Sequence, residues 1–452
     1  MRGRRRAEAQ AVGDRIVLIA YHFPPDPAVG SLRASKVAHA FRDIGSRVDV
    51  VTARLPGESA TVRRTDDAGL IVHPVKCLPH PRELLVRLKA GLSRLHSRRN
   101  GSTSPTGVGW APPSQVAGWK RLLSSLLWLP DDRQAFILPA WRKAHRLVRE
   151  GARLVYTTAP PYSPHLVGLA LGVMSGARWV MELRDPWADN DQKPWWVRAR
   201  PTDALDARLE RHCLERADLV VAVSDGIRTR LVSRLPTLDR TKLLLVRNGI
   251  ERLRTSAASA RPPGPVRIAY VGTFYHSRDP RPFLRALAAV CRAHGLGPDR
   301  IRVDFIGACR SIGGLSVQHE IDALGLTSIV KIQDWLPHAA ANALIDEADV
   351  LLLLAQQQPD QVPNKLYEYL GARRPILAFA DREGETARML HQVGGHRVVT
   401  SDDDADARCA LEALVLAPLH GCSAETSATG EAVLEEWTTE VQMQRLIKAV
   451  RN

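Results

Sequence analysis

The 452-residue sequence predicts an α/β protein made of two doubly wound domains, each a parallel sheet flanked by helices. Three observations carry this. Short runs of aliphatic and β-branched residues alternate with stretches whose apolar positions recur at helical spacing. The alternation gives way at the Pro/Ser/Ala-rich piece ERLRTSAASARPPGP (residues 251–265), which reads as a linker, and then restarts. The length is also too great for one ordinary core.

The first domain, expected over residues 15–250, opens with the strand RIVLIAY, a Pro/Gly-rich loop, the helical SLRASKVAHAFRDIG and the strand RVDVVTA. Strand, loop, helix, strand is a βαβ start. ARLVYTTA, a helix from His165 towards Gly176, ARWVMELRD, a helix near 203–216, ADLVVAVS, a short helix and KLLLVRNG continue it. An insert at 78–130 interrupts the plan. Within 82–99, Leu84, Leu85, Leu88, Leu92 and Leu95 share one helical face, while Arg82, Arg87, Lys89, Arg94, Arg98 and Arg99 occupy much of the rest. After a Gly/Ser/Thr/Pro-rich stretch comes the apolar GWKRLLSSLLWLP. The second domain, expected over 266–430, runs through VRIAYVGTF, a helix at 280–294, IRVDFIG, a helix ending near Gly325, IVKIQDW, a helix at 339–347, DVLLLLA, the helical PNKLYEYLG and RPILAF. Residues 431–452 read as one closing helix.

Composition narrows the class. At 45% hydrophobic and 25% charged, the chain reads as soluble and globular, and no apolar run reaches the ~18–20 residues of a membrane span. Residues 1–14 carry a basic cluster without the apolar core of a signal peptide, so this arm reads as disordered and the chain as cytoplasmic. Six cysteines without a C-x-x-C pair argue against zinc or a disulfide framework. The net charge of +15 points to an anionic partner: nucleic acid, an anionic membrane or a phosphorylated substrate.

The chain has neither a Walker A loop nor a G-x-G-x-x-G fingerprint. At expected strand ends of the second domain, however, VGTFYHSRDP sets Gly272, Thr273 and Arg278, and PNKLYEYLG sets Lys365, Leu366 and Glu368 in the first turns of a helix. A helix start offers unbonded N–H groups and a positive dipole end, so an added arginine and lysine make an anion site suited to a diphosphate. Glu368 is left for vicinal hydroxyls such as those of ribose.

These residues, with ELRDPW and TTAPPYSPH, resemble the retaining GT-B glycosyltransferases that use nucleotide-sugar donors, most closely the branch that builds surface polysaccharides and glycoconjugates. The resemblance covers residues 15 onward and implies two Rossmann-like domains facing a cleft. The family signature is two glutamates separated by seven residues. Glu368 matches the second, expected on the donor ribose, and Asp360 stands at the first, one methylene shorter. The resemblance further implies that Arg278 and Lys365 hold and stabilise the leaving diphosphate. Gly30 and Ser31 fall where the family has a glycine-containing loop near the donor phosphates, with Val-Gly in place of its Gly-Gly pair. His165 and Asp185 are the candidates to touch the acceptor or the reacting sugar.

The expected donor is thus a nucleotide-diphosphate sugar, with no separate cofactor and no metal, since the run Asp402, Asp403, Asp404 reads as a solvated helix start. The expected acceptor is a glycan or a lipid-linked glycoconjugate, reached from an anionic membrane surface on which the insert rests. A sugar-nucleotide epimerase of the same fold, and a non-catalytic nucleic-acid or glycolipid binder, are the alternatives. A nucleic-acid binder would interleave its basic residues with exposed aromatics, whereas here they cluster in the arm and at 82–99.

Overall fold

The computed structural model describes residues 15–55, 57, 63–64, 68–78, 118–190, 193, 197–254, 264–419 and 428–452. The basic segment at 82–99 and most of the piece at 251–265 lie outside them. The chain divides into two compact units, one of residues up to Val223 with Leu231–Val246 and Met443–Asn452, the other of Ser224–Arg230 and Arg247–Gln442.

In chain order the first part comprises β1 (Arg15–Ile19), α1 (Val29–Asp43), β2 (Arg47–Ala53), β3 (Arg63–Arg64), β4 (Leu70–Val75), α2 (Gly118–Leu126), α3 (Ile137–Arg149), β5 (Leu154–Ala159), α4 (Ser163–Ser175), β6 (Arg178–Leu183), α5 (Arg200–Arg216), β7 (Leu219–Ala222), α6 (Asp225–Arg234) and β8 (Leu243–Leu245). The sheet order is β3-β4-β2-β1-β5-β6-β7-β8, parallel except for β3. Ile16 registers with both Val48 and Leu154, which makes β1 the central strand. Such a strand is buried on both faces and reads as an unbroken apolar run. Val37, Ala38 and Phe41 of α1 pack over Ile16, Leu18 and Val48 in one core with Met443, Leu446 and Val450.

Two elements here escape the sequence reading. β4 holds His73 and Pro74, which blur its strand signal. In α3, Pro139 stands in the first turn, where a missing N–H breaks no helical bond.

The second part comprises β9 (Val266–Thr273), α7 (Arg281–His294), β10 (Ile301–Ala308), the hairpin β11 (Ser311–Ile312) and β12 (Leu315–Ser316), α8 (Val317–Ala323), β13 (Val330–Gln333), α9 (His338–Glu347), β14 (Val350–Ala355), α10 (Asn364–Gly371), β15 (Ile376–Ala380), α11 (Glu385–Val393), β16 (Arg397–Val399), α12 (Asp404–Leu419), α13 (Ala428–Glu436) and α14 (Thr439–Arg451). Its sheet is fully parallel in the order β13-β10-β9-β14-β15-β16. The strand core of Ile268, Val303, Phe305, Leu352 and Leu354 is covered by Phe283, Leu284 and Leu287 of α7.

The closing segment, expected as one helix, is two. At the break Ile250 takes the free backbone groups: its N–H donates to Trp437 O (2.8 Å) and its carbonyl accepts from Thr439 N–H (2.9 Å). Trp437 is buried, so the turn is anchored from inside.

Both sheets are doubly wound. In the first, succession runs outward from β1 to β2 on one side and from β5 to β8 on the other; in the second, β9 to β13 run one way and β14 to β16 the other. The strand pairs β1/β5 and β9/β14 are therefore the topological switch points, where the loops leaving the carboxyl ends diverge and leave a crevice for ligands.

Candidate functional site

The sequence candidates of the second unit lie on the segments that follow β9 and β14, the two strands of its switch point. The loop leaving β9 carries Arg278 in a tight turn, its N–H donating to Tyr275 O at 2.7 Å and its guanidinium lying 4.8 Å from the Tyr275 ring centroid. Arg278 makes no ion pair among the described residues, and its Nε is buried without a hydrogen-bond partner. Thr273 ends β9, and its carbonyl accepts from the Tyr270 hydroxyl at 3.0 Å. Gly272 lies against Gly307 of β10, at φ +114°, where a Cβ would collide with the Gly272 carbonyl.

The loop leaving β14 is tied to the Arg278 loop by two glutamines that sequence reasoning passed over. Gln356 donates to Asp279 O (2.8 Å) and Gln358 to Ser277 Oγ (2.7 Å). The signal was there: a Gln-Gln-Gln run between an apolar strand and a charged helix. Past it, Asp360 pairs through Oδ2 with Arg230 Nη1 at 2.9 Å, and its carbonyl accepts from Ser224 Oγ at 2.6 Å. In α10, Lys365 Nζ and Glu368 Oε2 stand 2.5 Å apart with side chains 23% and 25% exposed. Leu366 is buried, so only its main chain faces outward chemistry. The Tyr369 hydroxyl locks α10 onto the sheet by accepting from Val271 N–H (2.9 Å).

A fixed arginine without a carboxylate, a lysine held by a carboxylate that a ligand can replace, and the open end of α10 suit a diphosphate. The exposed indole of Trp335, just past β13 and against Gly307, offers a flat apolar face at the same edge of the sheet. A pocket of about 730 Å³ lies alongside, lined by His276, Asp279, Gln357, Asp381 and Arg382; Arg278, Lys365 and Glu368 are not part of its wall.

In the first unit the loop after β1 is pinned by Asp26, whose Oδ2 pairs with His22 Nδ1 (2.6 Å) and whose Oδ1 accepts from Ala28 N–H (2.9 Å). It delivers Gly30 to the first turn of α1. Ser31 is buried, its N–H donating to Ala28 O. His165 is fully buried: its Nδ1 meets Thr157 Oγ1 at 2.8 Å, its ring lies 5.8 Å from Trp187, and burial pushes its pKa down to about 3. Its Nε2 is buried without a hydrogen-bond partner. Asp185 is half-buried beside Tyr162, whose phenol pKa burial and then that carboxylate push up. Between them Glu182 is fully buried and accepts from Arg33 Nε (2.9 Å), Tyr156 (2.9 Å) and Thr158 (2.7 Å).

Asp403 and Asp404 are engaged at the start of α12. Asp403 Oδ1 accepts from Asp406 N–H, and Asp404 pairs with Arg285. Among the described residues no group of three His, Cys, Asp or Glu side chains is placed to hold a metal ion, and no helix is long and apolar enough to cross a membrane.

Residues 106–252, under half of the chain, match the family model described as Glycosyltransferase Family 4. No curated protein matches the sequence. Among solved structures, the sucrose-phosphate synthase of Thermosynechococcus elongatus is 14% identical with a TM-score of 0.63, the alignment covering 97% of this chain and 98% of that one. The E. coli trehalose-6-phosphate protein bound with UDP-2-fluoro glucose is 14% identical with a TM-score of 0.60, over 97% and 99%. Anabaena HepE, in complex with UDP and glucose, is 12% identical with a TM-score of 0.59, over 97% and 99%. At these identities the likeness shows the fold: α/β, GT-B, with two Rossmann-like domains.

Proposed function

We propose that the chain is a glycosyltransferase that moves a sugar from a nucleoside-diphosphate-sugar donor to a hydroxylated acceptor. The observation that carries this is the placement of Arg278 on the loop leaving β9 and of Lys365 and Glu368 in α10, which follows β14, the two strands of the switch point. The family match over 106–252, a GT-B fold and the UDP or UDP-sugar ligands of two proteins of similar fold support it.

In this reading Arg278 and Lys365, with the first N–H groups of α10, take the charge that develops on the diphosphate as its bond to the sugar breaks. That is electrostatic catalysis by fixed groups, and it needs no divalent ion. Glu368 turns from Lys365 to the ribose hydroxyls, Trp335 stacks on the base, and Asp360 lies towards the sugar. The acceptor hydroxyl attacks from the face the diphosphate leaves, the phosphate receives its proton, and configuration is retained. Turnover of UDP- and GDP-sugars in excess EDTA, with the product's anomeric configuration read by NMR, tests all of this. Activity that dies in EDTA and returns with magnesium contradicts the metal-free mechanism; an inverted product contradicts retention; no turnover of any nucleotide sugar contradicts the assignment.

The acceptor reading is a lipid-linked glycan met at an anionic membrane. Its support is α2, which shows Trp119 (66% exposed), Leu122, Leu123 and Leu126 at i, i+3, i+4 and i+7, while Arg121 and Ser125 turn inward to Arg198 O and Val197 O. Six basic residues at 82–99 precede it in sequence. Co-sedimentation with anionic but not neutral vesicles, abolished by high salt, is the expected outcome. Indifference to anionic vesicles at low salt makes a soluble acceptor the better account.

A further inference from the structure

We infer that the second unit carries a separate saccharide-binding pocket, on the α7 and α12 side of its sheet, for a short uncharged oligosaccharide. The cavity of about 730 Å³ is built at the carboxyl ends of the strands by the start of α7, the β11–β12 hairpin and the loops after β14, β15 and β16. That volume suits an organic ligand. Its position separates it from the proposed diphosphate site. Ile312 of the hairpin shares a core with Phe283 of α7 and Leu411 of α12, whereas Leu366 and Tyr369 of α10 belong to the core on the other face of the sheet.

The charges of the wall suit hydroxyl groups and disfavour phosphate. Asp279 is neutralised by Arg281 at 2.6 Å, and Arg382 turns to Asp403 (3.3 Å) and Asp406 (3.0 Å), neither of which lines the cavity. Asp381, Glu383 and Asp402, which do line it, make no ion pair among the described residues. In a chain of net charge +15 the cavity is therefore locally acidic. Asp381 Oδ2 accepts from Gln358 N–H at 3.1 Å, and no donor among the described residues is spent on its Oδ1. Carboxylate oxygens with unused lone pairs accept hydrogen bonds from vicinal hydroxyls.

Two more polar groups of the wall are unspent. The Ser401 hydroxyl is buried without a hydrogen-bond partner, and such a group gains from a ligand hydroxyl that bonds it. Gln357 is held at φ +57°, in the left-handed region, and its exposed side-chain amide makes no hydrogen bond among the described residues. The hairpin supplies the apolar part. Its turn, Gly313 and Gly314 at φ +57° and +85°, presents Leu315, which lines the cavity and yet is 57% exposed. A sugar ring has an apolar face of C–H groups and a rim of hydroxyls, so an aliphatic surface joined to carboxylates, an amide and a hydroxyl matches both. Binding is argued from this wall alone; that the occupant is part of the glycan being extended rests on the glycosyltransferase reading.

The test is titration of the full chain, followed by saturation-transfer NMR and calorimetry, with maltotriose, cellotriose, mannotriose, triacetylchitotriose, spermidine, inorganic phosphate and UDP. The proteins are wild type, Asp381→Asn, Glu383→Gln, Leu315→Ala and Lys365→Ala, each checked for folding by circular dichroism and melting. At least one trisaccharide is expected to bind wild type, to lose about tenfold in Asp381→Asn and Glu383→Gln and about fivefold in Leu315→Ala, and to bind Lys365→Ala unchanged. Should one pocket variant fail to fold, the other two decide. Trisaccharide binding without UDP binding supports this pocket while counting against the glycosyltransferase reading. UDP binding without any trisaccharide overturns the pocket and leaves that reading standing. The proposal is also overturned if spermidine or phosphate binds in the pocket and no sugar does, or if trisaccharide binding is unchanged in all the folded pocket variants or is lost in Lys365→Ala.

Discussion

Two ion pairs, Arg33–Glu182 in the first unit and Lys365–Glu368 in the second, stand beside carboxyl-end loops of doubly wound sheets, and they differ sharply in burial. Glu182 has no exposed surface and four donors on its two oxygens; burial alone would raise its pKa, but Arg33 holds it down and ionised. Lys365 and Glu368 are about a quarter exposed, three residues apart on one helix, and their pairing is a single short contact. A pair sunk in the core holds strands together and is not available to a ligand. A pair at the rim is worth little to the fold and exchanges readily for phosphate and hydroxyl groups. Burial, more than charge, separates scaffold from site.

The contrast is broken most directly at Glu182. Glu182→Ala leaves the Arg33 guanidinium buried alone, and the expected loss is about 3–5 kcal/mol in urea unfolding. A loss under about 1 kcal/mol would mean that the pair is no scaffold.

Asp49 gives a smaller effect with a pH signature. Burial would raise its pKa, but hydrogen bonds from His73 and Arg15, each 2.6 Å, hold it at about 2. The folded value lies below the unfolded one near 3.9, so this stability is present above about pH 4 and lost as pH falls through the folded value. It amounts to about 2 kcal/mol. Asp49→Asn is expected to flatten the dependence of the urea midpoint between about pH 4 and 2; an unchanged slope assigns the acid sensitivity elsewhere.

Lys365→Ala and Glu368→Ala sharpen the other side. Each is expected to shift unfolding by less than about 1 kcal/mol while lowering sugar transfer at least tenfold. Variants that unfold would make this pair scaffold too. At the far end, Arg310–Asp334 is fully at the surface, and Asp334→Asn is expected to leave both stability and transfer unchanged.

The strand runs were legible because buried parallel strands are unbroken apolar stretches: RIVLI, LVYTTA and VLLLLA stand where they were read. PNKLYEYLG was legible because lysine and glutamate three apart follow such a strand at once. Local sequence could not tell buried polar groups from exposed ones. His165 looks exposed in the sequence and is fully buried, because Trp187 and Thr157 reach it from elsewhere in the chain. Gln356 and Gln358 matter through bonds to a loop some eighty residues away in sequence.

The central claim is that the rim of the second unit, at β9 and β14, holds a nucleoside diphosphate. Isothermal titration of UDP and GDP into wild type, Glu368→Ala and Lys365→Ala, without metal, tests it most directly. One nucleotide is expected to bind wild type and to lose about tenfold or more in each variant, with melting temperatures unchanged in the absence of ligand. Equal binding by all three proteins, or no binding by wild type, would contradict it.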